Sequence, residues 1–372
     1  MMRGWLGAAV MAAWMVLAPA GAPAGGIAAP ACTLDRATGT TIDAQPVLAH
    51  GYGTRWNFAT NRIVFMQPNA AGYYRLYTAR PDGSDVRPVT DGKPDLPRGH
   101  HGSPSWLPSG RYVIFTAQKR DWSGGRAFGN PDFGALPGFG IHDDLWLTTD
   151  DGSKSWQLTD DPNTRRQGVL MPVVSPDGKR VAWTSRQPDK TYTLKIADLV
   201  LTPSPHLAAI RTMLPAGPAY YELGSFTPDG RGLVYTSDQD TRNFWFSQIY
   251  ALDIASGRST RLTQGLVYNE HPIAVNTPGG VWVVYMSARH VDRYPWHFFL
   301  GTDWWAVRLD GSGTKRLTQM NIRQRGNPED SGVMQVATTV SVSPAGDFML
   351  GDVQDSLVRQ TGLLRRVRFT CP

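Results

Sequence analysis

One unit recurs along this chain: strand, Pro-x-Gly turn, strand, variable loop, strand, Asp-Gly turn, strand ending in Leu-Thr. Its first half reads SPSWLPSGRYVIFTAQ (Ser103–Gln118), VVSPDGKRVAWTSR (Val173–Arg186) and SFTPDGRGLVYTSD (Ser225–Asp238). It returns as VNTPGGVWVVYMSA (Val275–Ala288) and VSPAGDFMLGDV (Val342–Val353), with a degenerate copy, NFATNRIVFMQP, at Asn57–Pro68. The second half reads RLYTARPDGSDVRPVT (Arg75–Thr90), DLWLTTDDGSKSWQLT (Asp144–Thr159), QIYALDIASGRSTRLT (Gln248–Thr263) and DWWAVRLDGSGTKRLT (Asp303–Thr318). A stretched copy runs from Thr193 to Leu214, and the last, LLRRVRFTC (Leu363–Cys371), is truncated. The turn glycines Gly110, Gly178, Gly230, Gly280 and Gly346 lie 68, 52, 50 and 66 residues apart. Proline presets φ at one turn position and glycine accepts positive φ at the close, so each half-repeat is a tight hairpin. The runs between turns (VIF, VAW, LVY, VVY) are β-branched and aromatic, as half-buried strands require.

Four strands per repeat and six repeats predict an all-β chain, a six-bladed β-propeller of four-stranded antiparallel blades, with seven blades as the rival count. The last repeat stops after its third strand. Its fourth strand is expected from the N-terminal side, within Gly39–His50, so that pairing of the chain ends closes the ring and removes exposed sheet edges. That closure brings Cys32 beside Cys371, the two cysteines of the chain. Upstream, Arg3, the apolar run Leu6–Leu17 and the small residues through Ala31 follow the order of a secretory signal, with A-x-A sites at Ala18-Pro19-Ala20 and Ala22-Pro23-Ala24. The expected organisation is therefore 1–31 signal and small-residue linker, then 32–372 a single propeller, exported to the periplasm or secreted. In an oxidising compartment Cys32 and Cys371 can form a disulfide. A lipid on Cys32 is the competing reading.

These repeats, with S-P-D-G and T-P-D-G turns and Leu-Thr endings, resemble the WD40-like (PD40) repeats of the TolB-like six-bladed propellers, from about Asn57 to Phe369. The resemblance implies the fold and an exported binding module. True TolB proteins carry an N-terminal α/β domain for which residues 32–56 leave no room, so their Pal-binding translocation role does not transfer.

The net charge of +6 comes from 37 basic and 31 acidic residues mixed along the chain. No basic block exists, and nucleic acid is excluded as a partner class. No later segment is apolar enough for a membrane helix, and a monomer is expected. Propellers joined to an α/β-hydrolase are excluded by the length taken up by the repeats and by the lack of G-x-S-x-G.

In a four-stranded blade the loops joining second to third strands, and those joining blades, emerge on one face. Lys119–Asp143 is a long excursion there with Trp122, and Arg289–Thr302 carries His290, Arg293, Trp296 and His297. Interblade loops add His101, Arg165, Tyr220, Tyr221, Glu222, Tyr268, Glu270 and His271. His101, Glu222, Glu270, His271 and His290 are expected to share one polar pocket on this face. Histidine is the common ligand and proton shuttle, so the catalytic candidates are His271, His290, His101 and Glu270. The metal candidates are His101, His271, His290 and His297, for a divalent ion assembled from separate blades, since no linear metal motif or other cofactor signature occurs. Arg165, Tyr220, Tyr221, Glu222, Tyr268, Arg293, Trp296, His297 and Trp122 are the ligand-binding candidates. For His101 and His271 the alternative is strand capping, and for Trp122 and Trp296 an apolar plug.

Two functions compete. One is a binding module for an envelope protein or saccharide. The other is a carbohydrate-active enzyme, a metal-assisted oligouronate lyase. Oligogalacturonate lyases resemble this chain in their TolB-like repeats, and the resemblance implies metal-bound His near the channel. β-Elimination needs a base at C5 and positive charge on the carboxylate, which His101, His271, His290 or His297 with Arg165, Arg289 or Arg293 would supply.

Overall fold

The half-repeats that keep both strands fold as the hairpins their turn residues dictate. In the turn at Pro108, the Gly110 N–H donates to the Leu107 carbonyl (2.9 Å). Gly110 has φ 70°, and a Cβ there would meet Thr60 at 2.3 Å, so side chain and conformation both select glycine. The computed structural model describes residues 31–127, 129–162, 167–289, 301–354 and 362–372. The chain divides into Met1–Ala31 and Cys32–Pro372. The expected signal segment, 1–30, lies outside the described residues.

Strand β1 (Gly39–Ile42) opens the second unit. Blade one is β2 (Tyr52–Asn57), β3 (Arg62–Pro68), β4 (Tyr74–Ala79) and β5 (Arg87–Pro88). Blade two is β6 (His101–Trp106), β7 (Tyr112–Gln118), β8 (Asp143–Thr149) and β9 (Ser155–Gln157). Blade three is β10 (Gly168–Val174), β11 (Arg180–Arg186), β12 (Tyr192–Val200) and β13 (His206–Gly217). Blade four is β14 (Tyr221–Phe226), β15 (Gly232–Ser237), β16 (Gln248–Asp253) and β17 (Ser259–Arg261). Blade five is β18 (Asn269–Thr277), β19 (Gly280–Ser287), β20 (Asp303–Arg308) and β21 (Lys315–Arg316). Blade six is β22 (Val336–Val342), β23 (Phe348–Gln354) and β24 (Gly362–Thr370), completed on its outer side by β1.

Among the described residues these make six four-stranded antiparallel sheets in a ring, a six-bladed β-propeller. The ring closes as the truncated last repeat requires. β1 pairs with β24 from Gly39↔Thr370 to Ile42↔Val367, and Cys32 is bonded to Cys371 with Cα atoms 5.6 Å apart. Blades pack face to face through the large residues of their second strands. Phe65, Phe115, Trp183, Tyr235 and Tyr285 are all buried there, each worth roughly 2–3 kcal/mol of hydrophobic stabilisation. Trp304, the second residue of β20, is also buried and donates its indole N–H to the Thr338 carbonyl (3.0 Å). Among the described residues no helix is long and apolar enough to cross a membrane.

Candidate functional site

The innermost strands share one irregularity that shapes the axis of the ring. Each slips against its second strand, between Tyr52 and Arg55, Gly102 and Ser105, Leu170 and Val173, Leu223 and Ser225, Glu270 and Ile273, and Ala337 and Val340. An extra residue on one strand bends it and re-aims the neighbouring side chains. Gly53, Ser103, Met171 and His271 sit at these bulges with φ of 66°, 47°, 51° and 53°. The bulges pinch the axis into a waist of about 30 Å³, lined from all six blades by residues including Tyr52, Ser103, Met171, Leu223, His271 and Thr339. That is room for about one water molecule.

Beside the waist, which His271 lines, blades four and five bring together Glu222, Glu270 and His271, one ligand atom of each lying within 4.8 Å of the others. His271 Nε2 lies 3.1 Å from Glu222 Oε1 and 3.8 Å from Glu270 Oε2. Both glutamates are oriented by a tyrosine two residues earlier. The Tyr220 hydroxyl donates to Glu222 Oε2, and the Tyr268 hydroxyl to Glu270 Oε2. Phe244, in a short 3₁₀ turn (Phe244–Phe246), packs edge-on against Tyr220 and at a tilt against Tyr268. Burial, then the neighbouring Glu222 charge, pushes the Glu270 carboxyl up to about 8. Burial also raises Glu222 and lowers the His271 imidazole. At neutral pH Glu270 thus keeps its proton and His271 is a neutral imidazole, the arrangement expected when like charges share a dry site.

The facing wall comes from the ring's seam. Asp352 is fully buried and accepts from the Thr54 N–H (3.1 Å), the Thr54 hydroxyl (2.9 Å) and the Thr339 hydroxyl. Burial raises its carboxyl. Arg55 extends along the same interior, and burial lowers its guanidinium against the opposing pull of Asp352, Tyr52 and Glu222. Tyr52 is pushed up by burial and by the charges of Glu222, Asp352 and Glu270. Arg55, Tyr52, Asp352 and Phe244 were not among the residues singled out by sequence reasoning. Asp352 alone left a signal: it stands where the other second strands carry Phe or Trp or Tyr.

His101 does not join the pocket. Its Nε2 is bonded to the Pro97 carbonyl (2.9 Å) and its ring meets Phe115 edge-on. The physical reason is register: Gly102 pairs with Thr116 as Glu270 pairs with Met286, so Ser103, not His101, is the counterpart of His271. Tyr221 is likewise core, packed edge-on against Tyr235. Trp122 stacks on His142 at 4.2 Å within its own loop, which fits the plug reading. That loop is organised by Asp132, which accepts from the Tyr73 hydroxyl (3.2 Å), Gln118 Nε2 (2.8 Å) and the Gly124 N–H (2.6 Å). Its Pro137 lies over Gly102, and Gly138 reaches the waist. Arg165, His290, Arg293, Trp296 and His297 lie outside the described residues. Arg289 donates to the Gln264 carbonyl (2.6 Å) with its guanidinium over Trp305.

Beyond the waist the axis widens toward the Pro-x-Gly turns, the face opposite the long loops. The cavity there holds about 510 Å³ and is lined by all six innermost strands. Pro108, Pro176, Pro228 and Pro344 ring its mouth, with Trp56, Phe58 and Phe226 between them. Phe58 is 58% exposed. Arg55 and Val173 line both spaces, so the mouth leads to the waist.

No family model matches the sequence. Over 156 residues, 40% of this chain, it is 30% identical to Tricorn protease homolog 1 of Streptomyces coelicolor, covering 13% of that protein. Over 145 residues, 39% of this chain, it is 32% identical to an uncharacterized protein of Agrobacterium fabrum, covering 42% of it. The chain thus spans less than half the length of either relative. The structure is similar to a crystal structure of TolB from Acinetobacter baumannii, with TM-score 0.51 at 18% identity over 86% of this chain and 65% of that one. It is similar to a crystal structure of puromycin hydrolase, with TM-score 0.51 at 15% identity over 85% and 52%. At these identities the likeness establishes a shared fold, the TolB-like six-bladed propeller.

Proposed function

We propose that this chain is an exported binding module that takes a segment of an envelope protein into the turn-side mouth of its channel. The observation that carries this reading is the 510 Å³ cavity, to which all six innermost strands contribute. Its walls are Val173, Ile273, Val275, Val340 and the turn prolines, with Phe58 and Trp56 at the rim. A concave apolar chamber with a few polar groups at its base is the form of a recognition site. Such walls suit apolar peptide side chains better than the hydroxyls of a saccharide.

The test is site-specific photocrosslinking from Phe58 in the native compartment, compared with a probe at Thr260 on an outer strand. One discrete partner should be captured from Phe58 only. It should be lost in Ala274→Trp, which fills the cavity, while the melting temperature stays within a few degrees. Equal capture from both positions, or capture insensitive to Ala274→Trp, rejects the reading.

The lyase reading keeps one supporting observation: a neutral His271 beside Glu222, with Arg55 in the same interior. Release of unsaturated uronate from oligogalacturonate, lost in His271→Ala, would favour it.

A further inference from the structure

The Glu222–His271 contact is close yet is not a hydrogen bond. Glu222 Oε1 is buried, lies 3.1 Å from His271 Nε2 and receives no N–H or hydroxyl hydrogen bond, the Glu270 carboxyl being a further polar group that Glu222 meets. The two atoms approach without aiming at each other. That is how two ligands of one ion sit: metal bonds of about 2.0–2.2 Å from carboxylate oxygen and imidazole nitrogen place neighbouring donors roughly 3–3.5 Å apart. We propose that Glu222, Glu270 and His271 form a site for a divalent transition-metal cation, of the zinc or manganese class, beside the waist of the channel.

Three further observations support it. Each glutamate is held by its own tyrosine, Glu222 through the oxygen that faces away from His271 and Glu270 through Oε2 itself, the outer support that ligating carboxylates ordinarily have. Carboxyls are also in excess: among the described residues, Glu222, Glu270 and Asp352 meet in this interior beside the single guanidinium of Arg55, and a divalent cation can be paired by two carboxylates with no buried charge left over. Finally, the mixed donor set separates the candidates: the imidazole suits zinc, the carboxylates suit zinc or manganese, and calcium and magnesium prefer oxygen alone. The site differs from the histidine-only set read from the sequence. It is also independent of the protein-binding reading, because the metal is measured on the isolated chain.

The experiment is isothermal titration of chelator-stripped protein with zinc sulfate and with manganese chloride, followed by metal analysis after gel filtration. One equivalent should bind with a dissociation constant of micromolar or tighter. Glu222→Gln and His271→Ala should each weaken it at least tenfold, and His101→Ala should leave it unchanged. Should either variant fail to fold, pulsed electron paramagnetic resonance of the wild-type protein loaded with Mn²⁺ decides, because one coordinated imidazole nitrogen should appear. No binding below 100 μM (on the order of the weakest useful protein–metal sites), affinity unchanged in His271→Ala, or no nitrogen coupling overturns the proposal.

Discussion

His100 shows how burial of one side chain fixes a pH response. Its Nδ1 accepts from the Tyr74 N–H (3.2 Å) and its Nε2 contacts the Pro131 carbonyl (2.8 Å), which places the proton on Nε2 of a neutral ring. Burial lowers the imidazole to about 4, while the unfolded side chain titrates near ~6.5. Between these values the unfolded chain binds more protons, so stability falls as pH drops from about 6.5 to 4 and is unaffected above. The His100 contribution to this loss is about 3 kcal/mol, and His101, lowered in the same sense, adds to it. Urea denaturation across this range should show the decline, and His100→Gln should flatten it while lowering stability at pH 7. An unchanged slope in the variant removes His100 as its source. The same scale shows where sequence reading stopped. Glu222, Glu270 and His271 were legible because they open innermost strands in loops rich in Tyr and His. Arg55 was not, because an arginine inside a strand looks like any solvated arginine until the ring closes around it. His101 misled because a histidine before a strand reads alike whether the bulge falls on it or two residues later.

Strands and loops carried most of what the sequence made plain. Turn chemistry and alternation located the hairpins, and the truncated last repeat implied the closing strand β1, because an unfilled edge demands a partner. The bulges were hidden, since a one-residue slip leaves no composition signature and shows only in the pairing register. The loop 119–143 was recognisable as an irregular excursion, but its internal order was not. Asp132 supplies that order through bonds to Tyr73, Gln118 and Gly124. Asp132→Ala is therefore expected to raise amide exchange over residues 122–131 about tenfold or more, the loss of one charged hydrogen bond being worth ~1.5–3 kcal/mol. The amides of β7 and β8 should keep their protection. Uniform exchange across loop and strands alike would show that the loop is held by packing instead.

The unit Cys32–Pro372 is a ring whose seam is fastened twice, by β1 on β24 and by Cys32 to Cys371. The sulfur bridge spans a sequence separation of 339 residues, and cross-links of that length restrict the unfolded chain by ~4–5 kcal/mol in the chain-entropy model. Cys371→Ser should lower the unfolding free energy by up to this amount, measured in denaturant without reductant. It should leave the blade pairings native by far-ultraviolet circular dichroism. A variant as stable as the parent would assign the closure to the strand pairing alone.

Joining Cys32 to Cys371 has a mechanical meaning too. A load applied to the two ends of the chain, as by a translocating or tethered neighbour, runs through the sulfur–sulfur bond and bypasses the blades. In most repeat proteins such a pull peels modules away from one end in turn. Here the line of tension is a short circuit across the seam, and the remaining blades stay slack while whatever occupies the axis is pulled. Such a fold withstands traction on its ends and yields only where the bridge is reduced.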